Sequence, residues 1–124
     1  MIRMIIKGET PSKKNSRIQL PNGRNIPGKK YQQWHKDAMA QVMAQKKLLQ
    51  KIPVSREVVV HLDFIHGDQR RRDSDNGTSS ILDLLVDAGV LEDDKWQIVR
   101  QLHVSNTYEK NDPMCIICIE PYCA

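Results

Sequence analysis

The stretch of this chain richest in reactive groups is Arg70-Arg71-Arg72-Asp73-Ser74-Asp75-Asn76. Two carboxylates separated by one residue can both turn toward a single ion where the backbone between them is extended. Hard divalent cations take oxygen ligands, and magnesium needs few from the protein because water and phosphate oxygens complete its shell. A third carboxylate is available from Glu92-Asp93-Asp94, and a helix between the two stretches would return the chain toward its sheet. Three arginines directly before the pair suit the approach of phosphodiester oxygens, because guanidinium groups match phosphate geometry. They suit ion pairing equally, of Arg72 with Asp75 or Asp68. The chemistry to expect is metal-assisted attack on a nucleic-acid backbone. Two other uses of Asp-x-Asp fail here. An EF-hand loop starting at Asp73 wants Gly at its sixth position and Glu at its twelfth, where this chain has Thr78 and Leu84. A sugar-nucleotide transferase needs a larger nucleotide-binding domain than 124 residues provide.

The distribution of charge points the same way. Residues 1–51 carry twelve Lys/Arg against only Glu9 and Asp37, whereas residues 73–94 carry seven acids and no Lys or Arg, within a net charge of +4. A basic surface binds polyanions through counterion release. A dense acidic patch opposes that unless a cation sits in it, so bound metal reconciles the two; a solvated acidic helix is the structural alternative. A composition 40% apolar and 27% charged excludes wholesale disorder, and no apolar run is long enough to span a bilayer. Met1–Lys7 has no apolar stretch of signal-peptide length, and Cys115, Cys118 and Cys123 do not make a disulfide framework. The expectation is a cytoplasmic protein with no membrane partner. Cys115 and Cys118 on one strand would point to opposite faces with no local fourth ligand, so they read as core thiols rather than zinc ligands. His35, His61, His66 and His103 are scattered and read as surface or core groups, with His61 and His66 near enough to the acids for a supporting role.

Several elements must position these residues. Met1–Lys7 reads as a strand. Residues 8–28 are rich in Gly, Pro, Asn and Ser, a long basic loop in which Asn22-Gly23 marks a tight turn between extended pieces at Ile18–Leu20 and Ile26. Lys30–Lys51 reads as a helix with Tyr31, Trp34, Ala38, Val42 and Leu49 near one face, closed by Pro53. Glu57–Ile65 alternates as a strand. A second helix is expected over Asn76–Ala88, with Ile81, Leu84, Leu85 and Ala88 buried and Gly89 as its C-cap. Ile98–Val104 and Met114–Glu120 read as strands joined as a hairpin through Asn106–Pro113. The fold class is α+β, one domain over residues 1–124: a small mixed sheet covered by two helices, in the order β-α-β-α-β-β.

Pro11-Ser12-Lys13-Lys14-Asn15-Ser16-Arg17, Arg72-Asp73-Ser74-Asp75-Asn76, Ile81-Leu82-Asp83-Leu84-Leu85 and Asp93-Asp94 followed by Ile98-Val99 resemble, in order and spacing, the RusA family of Holliday junction resolvases. The resemblance runs from Lys7 to about Ile119. It implies a homodimer that binds branched DNA (the four-way junction) and nicks opposing strands with magnesium (Mg2+), or manganese in its place, leaving 5′-phosphate and 3′-hydroxyl ends. It places the three metal-site aspartates on Asp73, Asp75 and Asp94, a basic residue beside the metal at Arg72, and a phosphate-gripping loop at Lys13, Lys14 and Arg17. Asp83 and Asp93 match further acidic positions. The chain departs from the family at Ser79, where a lysine usually stands one turn into the helix; Arg70, Arg71 or a loop lysine would then have to supply the charge. Two other readings follow: a binding module of the same fold with weakened or lost catalysis, and a nuclease for flaps or other branched DNA.

Overall fold

The computed structural model describes residues 1–12, 17–49 and 56–123, with Arg17 and Pro27 as backbone only. The elements are β1 (Ile2–Lys7), β2 (Arg17–Gln19), β3 (Asn25–Pro27), α1 (Lys29–Lys46), β4 (Val58–His66), α2 (Thr78–Asp87), β5 (Val99–Tyr108) and β6 (Met114–Pro121). The α+β class and the two helices match the sequence patterning. Strands β2 and β3 form a small hairpin of their own, turned at Gly23 with φ +83. The Gly23 N–H donates to the Leu20 carbonyl there.

The main sheet has the order β1-β6-β4-β5. The sequence suggested that the last two strands pair as a hairpin, and this is corrected: β6 inserts antiparallel between β1 and β4, while β5 lies on the other side of β4, parallel to it. The reason is the α2 crossover. A strand that leaves β4 through a helix and returns beside it must run parallel, and β6 then reaches β4's other edge through the connector at Glu109–Pro113. β5 is also longer than expected, ending at Tyr108.

Alternation decides which face each strand buries. Cys115, Ile117 and Ile119 of β6 and Val60, Leu62 and Phe64 of β4 face the helices and are buried. Tyr31, Trp34, Ala38 and Val42 of α1 meet them, with Ile81, Leu84 and Leu85 of α2; each such aliphatic side chain stabilises the fold by about 1.5–3 kcal/mol. α2 ends in a Schellman motif: Gly89 has φ +71, its N–H donates to Val86, and the Val90 N–H donates to Leu85. α1 stops at Lys46 rather than Lys51, its end tightened by bonds from Leu48 to Gln45 and Leu49 to Lys46; Lys51 and Pro53 lie outside the described residues. The β1 edge is not left open. Gln45 Oε1 accepts from the Ile5 N–H at 2.9 Å and Gln45 Nε2 donates to the Ile5 carbonyl at 2.8 Å. Gln41 does the same for Lys7 at 2.7 and 3.2 Å, so two glutamines of α1 complete the hydrogen bonding a further strand would supply. Among the described residues no helix is long and apolar enough to cross a membrane.

Candidate active site

The acids stand where β4 hands over to α2. The backbone there is coiled rather than extended: the Asn76 N–H donates to the Asp73 carbonyl and the Thr78 N–H to the Asp75 carbonyl, each at 3.1 Å. This coil packs tightly against the core because position 77 is glycine. A Cβ there would meet Thr10 Cγ2 at 2.8 Å and Phe64 Cε1 at 2.9 Å. Asp73 and Asp75 are both exposed and share a groove of about 260 Å³ with Ser12, Asn76, Thr78, Ser79 and Leu82. A second groove, of about 550 Å³, runs past Lys30, Arg70, Arg71 and Arg72 to the same Asp73, Asn76 and Ser12. A cationic trough thus opens into a carboxylate pair, with Asp73 on the boundary. The first turn of α1 holds no acid, and Gly28 caps it without a side-chain bond. Lys29 and Lys30 therefore add their charge to an already positive helix end, an arrangement unfavourable for folding but attractive to anions.

Asp94 lies on the connection from α2 to β5. Partial loss of hydration, then the Asp83 charge, then Asp93, hold its carboxyl above the ordinary 3.8. Asp83 stands four residues along α2 from Ser79, so the two share a helix face, about 6 Å apart at Cβ. Asp73 and Asp75 are brought together, and Asp94 is brought to Asp83 and Asp93. Among the described residues no three acid, histidine or cysteine side chains stand close enough to hold a metal ion.

The arginines divide. Arg72 is turned inward, its side chain 16% exposed, and donates to Asp68 Oδ1 at 2.8 Å and to the Arg70 carbonyl at 3.3 Å, with Glu9 Oε1 at 3.2 Å. This is the ion pairing with Asp68 that the sequence allowed. Asp68 in turn sits below its usual 3.8, held there first by the Arg70 N–H and then by Arg72. Arg70 and Arg71 are exposed along the trough. Lys13 and Lys14 lie outside the described residues, and of Arg17 only the backbone, opening β2, is described. Ser79 is exposed in the carboxylate groove. The thiols are structural: Cys115 is buried and Cys118 half-buried, and burial followed by the Asp63 charge pushes the Cys115 thiol up.

The sequence missed Lys30, Glu9 and Asn106. Glu9 left a signal, as one of two acids among the first 51 residues. Asn106 left none, because the β4–β5 register alone brings it to the site.

No curated protein matches the chain. The family described as endodeoxyribonuclease RusA matches residues 8–120, a span that takes in both grooves, Asp94 and every strand except β1 and the last residue of β6. This chain therefore belongs to the RusA family of endodeoxyribonucleases, enzymes that hydrolyse the phosphodiester backbone of DNA.

Proposed function

We propose that the protein resolves Holliday junctions during DNA recombination and repair, as a magnesium-dependent homodimer that nicks two opposing strands. The observation that carries this is the meeting of the two grooves at Asp73: a trough lined by Lys30, Arg70 and Arg71 leads a phosphate to a carboxylate pair. The donor set fits a hard cation, being oxygen only. One or two carboxylates with water and phosphate oxygens are what magnesium commonly takes. Asp73 and Asp75 would hold the ion. Asp94, crowded by Asp83 and Asp93, would be the third ligand by family likeness. When bound, such an ion supplies a water of lowered pKa and neutralises charge on the leaving oxygen.

The chain's own residues do the remainder. Arg70 and Arg71 pair with backbone phosphates and set the register of the strand, with Lys13, Lys14 and Arg17 as further contacts by family likeness. Arg72 keeps the segment before Asp73 in place through Asp68 and Glu9. The sheet edge at β5, paired among the described residues with β4 alone and carrying exposed Leu102 and Tyr108, supports a second copy in the assembly, which sedimentation would detect.

The test is a nicking assay on a synthetic four-way junction. Asp73→Asn or Asp75→Asn should abolish magnesium-dependent cutting and leave junction binding intact, since binding rests on Lys and Arg; undiminished cutting by these variants overturns the assignment. Ser79 favours a second reading, binding without efficient cutting, because its exposed hydroxyl brings no positive charge to the groove. Failure of the unmodified protein to nick in magnesium or manganese would establish that reading. Preference for flaps over junctions would move the substrate to other branched DNA.

A further inference from the structure

His66 closes β4, and its ring is enclosed by groups that converge on the acid-bearing turn. Its Nδ1 faces Glu9 Oε2 at 2.8 Å and its Nε2 faces Asn106 Oδ1 at 2.8 Å. The same Asn106 amide donates from its Nδ2 to the Ser74 carbonyl at 2.8 Å. Ser74 is the residue between Asp73 and Asp75. The other Glu9 oxygen takes the Gly67 N–H at 3.3 Å and Arg72 at 3.2 Å. One ring thus ties the loop after β1, strand β5 and both sides of the segment that carries the acids.

We infer that His66 and Asn106 are positioning residues for the Asp73/Asp75 site, with His66 orienting the Asn106 amide that holds the Ser74 carbonyl. The inference rests on the proposed metal site for its functional consequence and on the hydrogen bonds alone for its structural one. Both ring nitrogens face oxygen acceptors, the Glu9 carboxylate and the Asn106 amide carbonyl, so the ring bridges the two. The ring is 16% exposed and Glu9 28%, so water replaces a lost partner poorly. Groups that orient ligands from behind commonly govern metal affinity about 10–100-fold.

A purely structural network would alter stability alone, so the test separates the two. Magnesium titrations of junction nicking are paired with hydrogen exchange of the Gly67–Thr78 backbone in metal-free protein. Asn106→Ala, at an exposed strand position, and His66→Ala should each raise the magnesium needed for half-maximal cutting about tenfold or more. Each should also speed exchange at the Asn76 and Thr78 amides, while metal-free junction binding stays unchanged. The double variant should be no worse than His66→Ala alone. His66→Gln, whose amide can still donate toward Asn106, should recover most of the loss, and His66→Asn, which reaches only toward Glu9, should not. Unmodified metal demand and exchange in Asn106→Ala would overturn the inference, as would losses that track melting temperature equally in all five variants. If the unmodified protein does not cut, the metal reading fails on its own, and exchange at Asn76 and Thr78 still decides whether these residues hold the turn.

Discussion

Gly77→Ala offers a perturbation whose size follows from contacts at the active site. Gly77 has φ −101, which alanine adopts without strain, so the cost is one of space. The added Cβ would lie 2.8 Å from Thr10 Cγ2, 2.9 Å from Phe64 Cε1 and 3.1 Å from Thr10 Cβ. Carbon atoms prefer about 3.5–4.0 Å, so the neighbours must retreat by about 0.7 Å. Thr10 is 5% and Phe64 3% exposed, and neither can swing into solvent. Overfilling of this kind costs about 1–3 kcal/mol, and the stiffer unfolded chain returns about 0.4–1 kcal/mol. A net loss of about 1–2 kcal/mol is expected, or roughly 3–10 °C in melting temperature for a chain of this size. If the strain is relieved by moving the start of α2, Asp75 moves with it, and about 1 Å of misplacement can cost 10²-fold in rate. Thermal unfolding and nicking well below both melting points would measure the two effects. Thr10→Ser, which deletes the nearest methyl, should restore part of both in the double variant. A Gly77→Ala protein that melts at or above the unmodified one and cuts at the same rate would refute the reasoning.

Three further outcomes are expected. Asp94→Asn should raise the metal-free melting temperature, because it relieves the repulsion from Asp83 and Asp93; the gain stays under about 1 kcal/mol at so exposed a site, and the stabilisation that magnesium confers should be lost, both read in one pair of melts. Asp68, whose carboxyl sits below 3.8, contributes stability that is present above that value and lost as the pH falls through the lowered one; Asp68→Asn should flatten the acid limb of a melting-temperature profile. Arg71→Ala should weaken binding to all DNA shapes alike and reduce the slope of log affinity against log salt by about 1, as measured by titrations at several salt concentrations. An unchanged slope would remove Arg71 from the phosphate contacts.

Much of the architecture was legible because it is written in local periodicity. Alternation in Glu57–Ile65 anticipated β4, and the apolar stripe of Ile81, Leu84 and Leu85 anticipated α2, with Gly89 at its end as the left-handed C′ residue. The positions of Asp73 and Asp75 at a strand-to-helix junction were legible for the same reason. Their conformation was not. An extended backbone was the condition for both carboxylates to meet one ion, and two overlapping turns were found, because Gly77 lets the chain coil against Thr10 and Phe64, a contact between residues distant in sequence.

By itself the sequence determined the helices, the strands, the separation of basic from acidic residues and the identity of the acids, since each depends on neighbours along the chain. Only the tertiary structure decided which strands are partners. β5 lies beside β4 through the α2 crossover instead of folding back on β6, and that parallel register carries Asn106 to Ser74, 32 residues earlier. Tertiary packing also turned Arg72 inward to Glu9 and Asp68 and left Arg70 and Arg71 facing the trough. Three adjacent arginines have the same chemistry in one dimension; the fold, by bringing Glu9 beside Arg72, decides which of them is turned inward.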